Sequence, residues 1–245
     1  MLVLLADDNH PQGPHYIQIV AGDEGKILPV NNLISRLAVN TQENTIDILT
    51  VNSDPLPLAQ ASDRQLLQAF ERALPQPPLS LDLYADPPPY YDEQVYRVLW
   101  QPQAAAAENP GATTEYMRRH CDFLRQAGML VIAAPVWNHS VPAALKAWID
   151  LVIAPGHTYR FGPGGIEPLH AIERLLLLIS SGGRRSRVNR DDHFLAVLKA
   201  PFQYIGINHI DVIWADGQEP ALFADHGERL ANAVREVSEY VRTLL

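Results

Sequence analysis

Hydrophobic and polar positions along the chain alternate between two periods. Tyr16 to Ala21 is a short apolar, β-rich run broken by Gly22-Asp23-Glu24-Gly25, and it reads as a first strand. Pro29 suits the first turn of a helix, where its missing N–H costs little, and Leu33, Ile34, Leu37 and Ala38 would form that helix's apolar face. Thr45 to Val51 alternates as a strand does. Thr114 to Ala127 places Tyr116, Met117, Cys121 and Leu124 at helical spacing. Met129 to Ala134 is a continuous apolar run, the pattern of a strand buried on both faces, and Arg174 to Ile179 reads as another buried strand. Between them, Pro142 to Ile153 is a helix with Leu145, Trp148, Ile149 and Val152 as its stripe. A further helix is expected near Asp191 to Lys199, a strand at Ile210 to Trp214, and a closing helix from His226 to Leu245.

Residues 54–112 are less regular. Gln65 to Leu74 suits a helix, but Pro75 to Pro110 holds eight of the chain's 20 prolines. Proline removes a ladder donor and breaks helices, so this stretch reads as an insertion over 75–112. Its Tyr84, Tyr90, Tyr91, Tyr96 and Trp100 favour packing over a free linker, as a lid, a dimer contact or simply core. Residues 1–15, with turn residues Asn9 to Pro14, read as an N-terminal extension.

Strands separated by helices imply a parallel sheet covered on both faces. Five such strands fit an α/β, flavodoxin-like, doubly wound sheet, with residues 1–245 read as one domain. In such sheets ligands bind outside the carboxyl ends of the strands, near the switch point. That rule singles out the loops 22–28, 135–140 and 181–187.

Composition narrows the function classes. Of the 245 residues, 47% are hydrophobic and 19% charged, a globular balance. The formal charge of −9 disfavours non-specific binding to nucleic acid or anionic membranes. A single cysteine, Cys121, allows no intramolecular disulfide and no cysteine-based metal site within one chain. It lies on the apolar face of a helix and reads as core. No run approaches the roughly 20 apolar residues of a membrane span, and the amino terminus lacks a basic signal-peptide region. The expectation is a cytoplasmic protein. No Gly-x-Ser-x-Gly elbow or His-Glu-x-x-His spacing is present, and Asp191-Asp192-His193 is too generic to name a metal site.

The chemistry concentrates in the second half. Ala134-Pro135-Val136-Trp137-Asn138-His139-Ser140-Val141-Pro142 leads into a helix containing Leu145-Lys146 and Asp150. Gly156-His157-Thr158-Tyr159-Arg160-Phe161 and Ser180-Ser181-Gly182-Gly183 follow, then Gly206-Ile207 ahead of Asp211-Val212-Ile213. Together, over residues 113–245, these segments resemble the FMN-dependent azoreductase and NAD(P)H quinone-reductase family. The resemblance implies that Pro135, Val136, Trp137, Asn138 and His139 pass along the isoalloxazine ring, with backbone N–H groups and the Asn138 amide answering its carbonyls and nitrogens. Ser181, Gly182 and Gly183 would let backbone approach the pyrimidine end, since glycine has no side chain to clash. Tyr159 and Phe161 would line the place where substrate or nicotinamide stacks. FMN, NAD(P)H as donor, a small-molecule quinone or azo substrate and a homodimer are all implied by the resemblance.

The family's serine-bearing phosphate loop is missing from residues 1–45. If Asn31-Asn32-Leu33 aligns with its helix start, Leu28 and Val30 replace the serines, Pro29 removes a donor, and Asp23 and Glu24 repel phosphate. Lys26 is the one nearby compensation. Three readings follow. The first is an FMN-dependent two-electron reductase, in which no side chain need be an acid or base. The second is a diverged chain without FMN, binding a small molecule or running an isomerisation or cyclisation through His139, His157, Tyr159 or Arg160. The third is a non-catalytic partner subunit. Taken alone, His139 is either a flavin-facing donor or a solvated loop histidine. Arg184, Arg185, Arg187 and Arg190 are either a clamp for an acidic ligand or a solvated loop.

Overall fold

The computed structural model describes residues 3–6, 16–20, 26–29, 48–105, 109, 111–188 and 193–244. Contacts divide the chain into two compact units, Met1–Thr45 and Ile46–Leu245.

In the first unit, β1 (Val3–Ala6), β2 (Tyr16–Val20) and β3 (Lys26–Pro29) form an antiparallel sheet in that order. Val3 pairs with Val20, and Tyr16 with Pro29. The strand expected at Tyr16 to Ala21 is therefore present but belongs to this small sheet and not to the parallel one. Pro29, expected to open a helix, ends the edge strand β3, where a missing donor is tolerated. Residues 26–28, part of the candidate loop 22–28, are also strand. The helix over Leu33 to Ala38 and the alignment on Asn31 to Leu33 fall outside the described residues.

The second unit contains a five-stranded sheet. Its strands are β4 (Ile48–Asn52), β5 (Leu79–Asp82), β6 (Met129–Pro135), β9 (Arg174–Ser180) and β10 (His209–Ala215), in the order β10-β9-β6-β4-β5. Every pairing is parallel. The count of five agrees with the sequence, but membership differs. Ile48–Asn52 takes the first, inner place expected for Tyr16 to Ala21, and Leu79–Asp82, inside the proline-rich stretch 75–112, supplies the edge strand. The same stretch holds α2 (Glu93–Trp100) and the short α3 (Pro102–Ala105).

Side chains alternate across the sheet, and each set meets its own helices. On one face Leu49, Val51, Leu130, Ile132, Leu175 and Leu177 pack with α4 (Ala112–Gln126), α5 (Ala143–Val152) and α7 (His193–Tyr204). Trp148 of α5 is fully buried there. On the other face Met129, Val131, Ala133, Leu176 and Leu178 pack with α1 (Ser62–Ala73) and α8 (His226–Leu244). Leu66 and Phe70 of α1, and Ala233, Val237 and Val241 of α8, recur at four-residue spacing to make those faces. β6 is buried at every position, which explains its unbroken apolar run. Burying a side chain the size of Phe70 stabilises the fold by about 1.5–3 kcal/mol.

A hairpin of β7 (Tyr159–Gly162) and β8 (Gly165–Pro168) interrupts the crossover from α5 to β9. Short α6 (Arg185–Val188) follows β9. Gly206, between α7 and β10, has φ +101 and faces Pro168, whose Cγ a Cβ would meet at 2.6 Å. Only glycine meets both demands. No helix among the described residues is long and apolar enough to cross a membrane.

Candidate functional site

β4 has β5 on one side and β6 on the other, so the chain reverses its direction of winding there. The crevice outside the carboxyl ends of β4, β6 and β9 is the ligand position of such a sheet. Three segments line it: 53–61 after β4, 136–142 after β6 and 181–184 after β9.

The second and third segments are joined. Val136 donates its N–H to the Ser180 carbonyl at 2.8 Å, extending the β6–β9 register past Pro135. Trp137 and Ser140 then exchange backbone hydrogen bonds at 2.9 Å in both directions, closing a tight turn. Its central residues, Asn138 and His139, have φ of +49 and +61. Two positive φ values mark a type I′ turn, in which asparagine is among the tolerated residues. Among the described residues the N–H groups of Asn138 and His139 have no hydrogen-bond partner, and Trp137 is 38% exposed beside them. The turn thus presents two donors and an indole.

The glycine loop is held from the β10 side. Ser181 donates its N–H to Ala215 O at 3.1 Å and its hydroxyl to Gly183 O at 2.8 Å. Gly217, Gln218 and Glu219 donate to Gly183, Ser181 and Gly182 carbonyls at 3.0, 2.9 and 3.2 Å. Gly217 has φ +64, which allows this approach. The N–H groups of Gly182 and Gly183 have no partner among the described residues. Pro135 to His139 and Ser181 to Gly183 are therefore brought together, as their motifs imply. These free donors suit the carbonyls and nitrogens along one edge of a flavin ring.

Tyr159 and Phe161 lie elsewhere in the contact network. Tyr159 is buried, with Tyr204 at 5.2 Å and Phe161 at 5.5 Å between ring centroids. Burial, then Tyr204, pushes its phenol up to about 12. Phe161 is 60% exposed and sits 6.2 Å from Trp100. No hydrogen bond or ring contact among the described residues links either to the turn at 137–140 or to the glycine loop. A cavity of about 520 Å³ beside Asp122, Gln126 and His170 lies toward the amino ends of β6 and β9, away from these loops.

Arg184 and Arg185 are engaged by the protein. Arg184 lies over the Phe223 ring at 5.1 Å and pairs with Asp225 at 3.8 Å. Arg185 lies over Trp214 at 5.5 Å, and its N–H donates to Asp216 at 2.6 Å. The Arg187 and Arg190 side chains are outside the described residues.

The segment that sequence reasoning missed is 52–63. Asn52 and Asp54 clasp each other, Asn52 Nδ2 donating to Asp54 O at 3.1 Å and Asp54 N to Asn52 Oδ1 at 3.2 Å. Ser53 turns inward and donates to Ala133 O at 2.8 Å. Helix α1 begins after Ala61, which supplies no side-chain cap. Its first turn contains Asp63, fully buried, with Oδ1 accepting from Ser180 Oγ at 2.9 Å. The available signal was the strand at Thr45 to Val51 running through Asn52-Ser53-Asp54-Pro55 into the helix at Gln65 to Leu74. Placing the first strand at 16–21 hid it.

Comparison with known proteins agrees with this frame. The family model described as flavodoxin-like fold matches residues 47–241, and the chain belongs to that family. The match starts at β4, well before the 113–245 span of the motif resemblance. A Beijerinckia indica subsp. indica protein named FMN-dependent NADH:quinone oxidoreductase is 33% identical over 159 residues, 64% of this chain and 79% of the relative. A Gluconobacter oxydans protein of the same name is 33% identical over 167 residues, 65% and 81% of the two chains. The crystal structure of an FMN-dependent NADH-azoreductase from Bacillus anthracis str. Ames Ancestor, in complex with FMN, superposes with a TM-score of 0.68. It is 24% identical, covering 80% of this chain and 98% of that one, and so shows the fold.

Proposed function

We propose that this chain is an FMN-dependent NAD(P)H oxidoreductase that delivers two electrons to quinone or azo compounds. The observation that carries the proposal is the Val136–Ser180 hydrogen bond, which sets the free donors of Asn138 and His139 beside those of Gly182 and Gly183 at the sheet's carboxyl edge. The names of the 33%-identical relatives support it.

When bound, FMN would supply the redox chemistry, a two-electron transfer between NAD(P)H and the substrate. The chain's part is to hold and polarise the ring. Pro135 to Trp137 would flank it, the N–H groups of Asn138 and His139 and the Asn138 amide would donate to it, and the 181–183 loop would close on its pyrimidine end. Tyr159 and Phe161 would serve the substrate side. No side chain is assigned as an acid or base. We place the protein in the cytoplasm and as a homodimer, the buried Cys121 and acidic charge being consistent with the first.

The test is a visible absorption spectrum of the purified protein before and after FMN is added and the unbound excess removed. Flavin bands that are retained, and bleached by NADH or NADPH, are expected. A colourless protein that retains no flavin would sink the proposal.

A further inference from the structure

The chain leaving β10 runs along the glycine loop and meets the start of α1, and Gln218 stands at that meeting point. Its N–H donates to Ser181 O at 2.9 Å. Its side chain reaches three further places. Oε1 accepts from the hydroxyl of Ser62, the first residue of α1, at 3.0 Å. Nε2 donates to Asp216 O, just past β10, at 3.1 Å and to the carbonyl of His226, the first residue of α8, at 3.2 Å. Chemistry fixes the orientation of this amide. Carbonyl oxygens only accept, so the group facing Asp216 and His226 is the NH2, with both hydrogens used, and Oε1 is left for Ser62.

The strip that this amide anchors aims the glycine loop. Gln218 and Glu219 donate to the Ser181 and Gly182 carbonyls at 2.9 and 3.2 Å. In a trans peptide the N–H points opposite to the C=O of the preceding residue. Holding the Ser181 and Gly182 carbonyls toward residues 218–219 therefore turns the Gly182 and Gly183 N–H groups away from that strip, and both are without a partner among the described residues. A second tie runs one residue along, from the Ser180 hydroxyl to Asp63 Oδ1 at 2.9 Å. It holds the end of strand β9, whereas the Gln218 tie holds the residues that orient the loop itself.

We propose that Gln218 is a positioning residue for the flavin ring: by bracing residues 217–219 against the starts of α1 and α8, it fixes the aim of the Gly182 and Gly183 N–H groups at the pyrimidine end. This rests on the flavin reading above. Preorganised donors favour a group on which negative charge collects, so donors fixed at this end favour the reduced, electron-rich ring over the oxidised one. Loss of the brace weakens binding through the ring and not through the phosphate, and it weakens the reduced form more.

The test is a fluorescence titration of the apoprotein with FMN and with riboflavin, together with the midpoint potential of bound FMN, in wild type, Gln218→Ala and Gln218→Glu. Gln218→Ala is expected to raise the Kd for both flavins by a similar factor, about tenfold, and to move the potential to a more negative value. Gln218→Glu keeps the acceptor for Ser62 but sets a carboxylate against two carbonyls. Its riboflavin affinity is expected to recover relative to wild type as pH falls from 8 to 5 and the carboxyl regains a hydrogen to donate. That profile decides the matter should Gln218→Ala not fold. A loss confined to FMN, an unchanged potential in the folded Gln218→Ala protein, or a Gln218→Glu profile parallel to wild type overturns the positioning role and leaves the flavin reading intact. Failure of the wild-type protein to bind either flavin overturns the flavin reading and this role with it.

Discussion

The hydroxyl of Ser180, the last residue of β9, donates to Oδ1 of Asp63 at 2.9 Å across 117 residues of chain. It pins the amino end of α1 to the end of the sheet and supplies Asp63 with its one hydrogen bond from β9. Ser180→Ala leaves a buried carboxyl oxygen without a donor. The expected cost is about 1–3 kcal/mol, read as a lower midpoint in urea with an unchanged slope. A midpoint equal to wild type would show that the bond adds nothing net.

The same carboxyl fixes a pH dependence of stability. Asp63 is raised in the folded chain from 3.8 to about 8, so between these values the folded state holds a proton that the unfolded state has lost. Its contribution is full below the lower value and declines as pH rises toward 8, by up to about 1.4 kcal/mol per unit. Asp63→Asn keeps the shape and cannot ionise. Denaturation from pH 5 to pH 8 is expected to show a decline in wild type that the variant lacks.

Burial gives three histidines the opposite slope. His120, His157 and His170 are lowered, in each case first by burial, so the folded chain keeps them neutral where the unfolded chain protonates them. Stability from these groups is lost as pH falls below about 6.5. His120 is also locked in place: Trp148 Nε1 donates to its Nδ1 at 3.0 Å, and its Nε2 lies 3.3 Å from Asp86 Oδ2. His120→Gln is expected to flatten part of the thermal-midpoint loss between pH 7 and pH 5. An unchanged profile would remove His120 from the account.

The turn at Asn138 and His139 separates backbone from side chain. Asn138→Gly keeps the positive φ and deletes only the amide, so it should weaken flavin binding modestly. Asn138→Val adds a β-branched residue at φ +49 and should weaken it more, by roughly 1 kcal/mol or greater. Equal affinities in both variants and wild type would argue that this turn does not touch the ring. Trp137→Ala, which removes the exposed indole, is expected to lower affinity as well.

Much of the parallel sheet was legible because burial on both faces writes itself into sequence. Met129 to Ala134 and Leu175 to Ile179 are unbroken apolar runs since each residue meets a helix layer on one side or the other. The strand at Leu79–Asp82 left no such mark. It is an edge strand with exposed and half-buried positions, surrounded by prolines, so half of its apolar signal was never required. Tyr16–Val20 has the opposite problem: its apolar run is real, but a local pattern cannot name the strand it pairs with, and it joined an antiparallel sheet.

The sequence by itself determined the α/β class and the faces of α4 and α5, and its motif resemblance implied that the 135–140 and 181–183 segments share one end of the sheet. The first two follow from periodicity, the last from the rule that ligand loops gather at the carboxyl ends of the strands. Only the tertiary structure decided which strand comes first in the sheet, and hence that the α1 corner is built from Asn52 to Asp63. It alone brought Ser180 onto Asp63 and sealed both aspartates from water. An aspartate in a helix's first turn is ordinarily a solvated, favourable charge. Desolvation turns it into a proton-holding one, and desolvation depends on atoms that arrive from the far end of the chain.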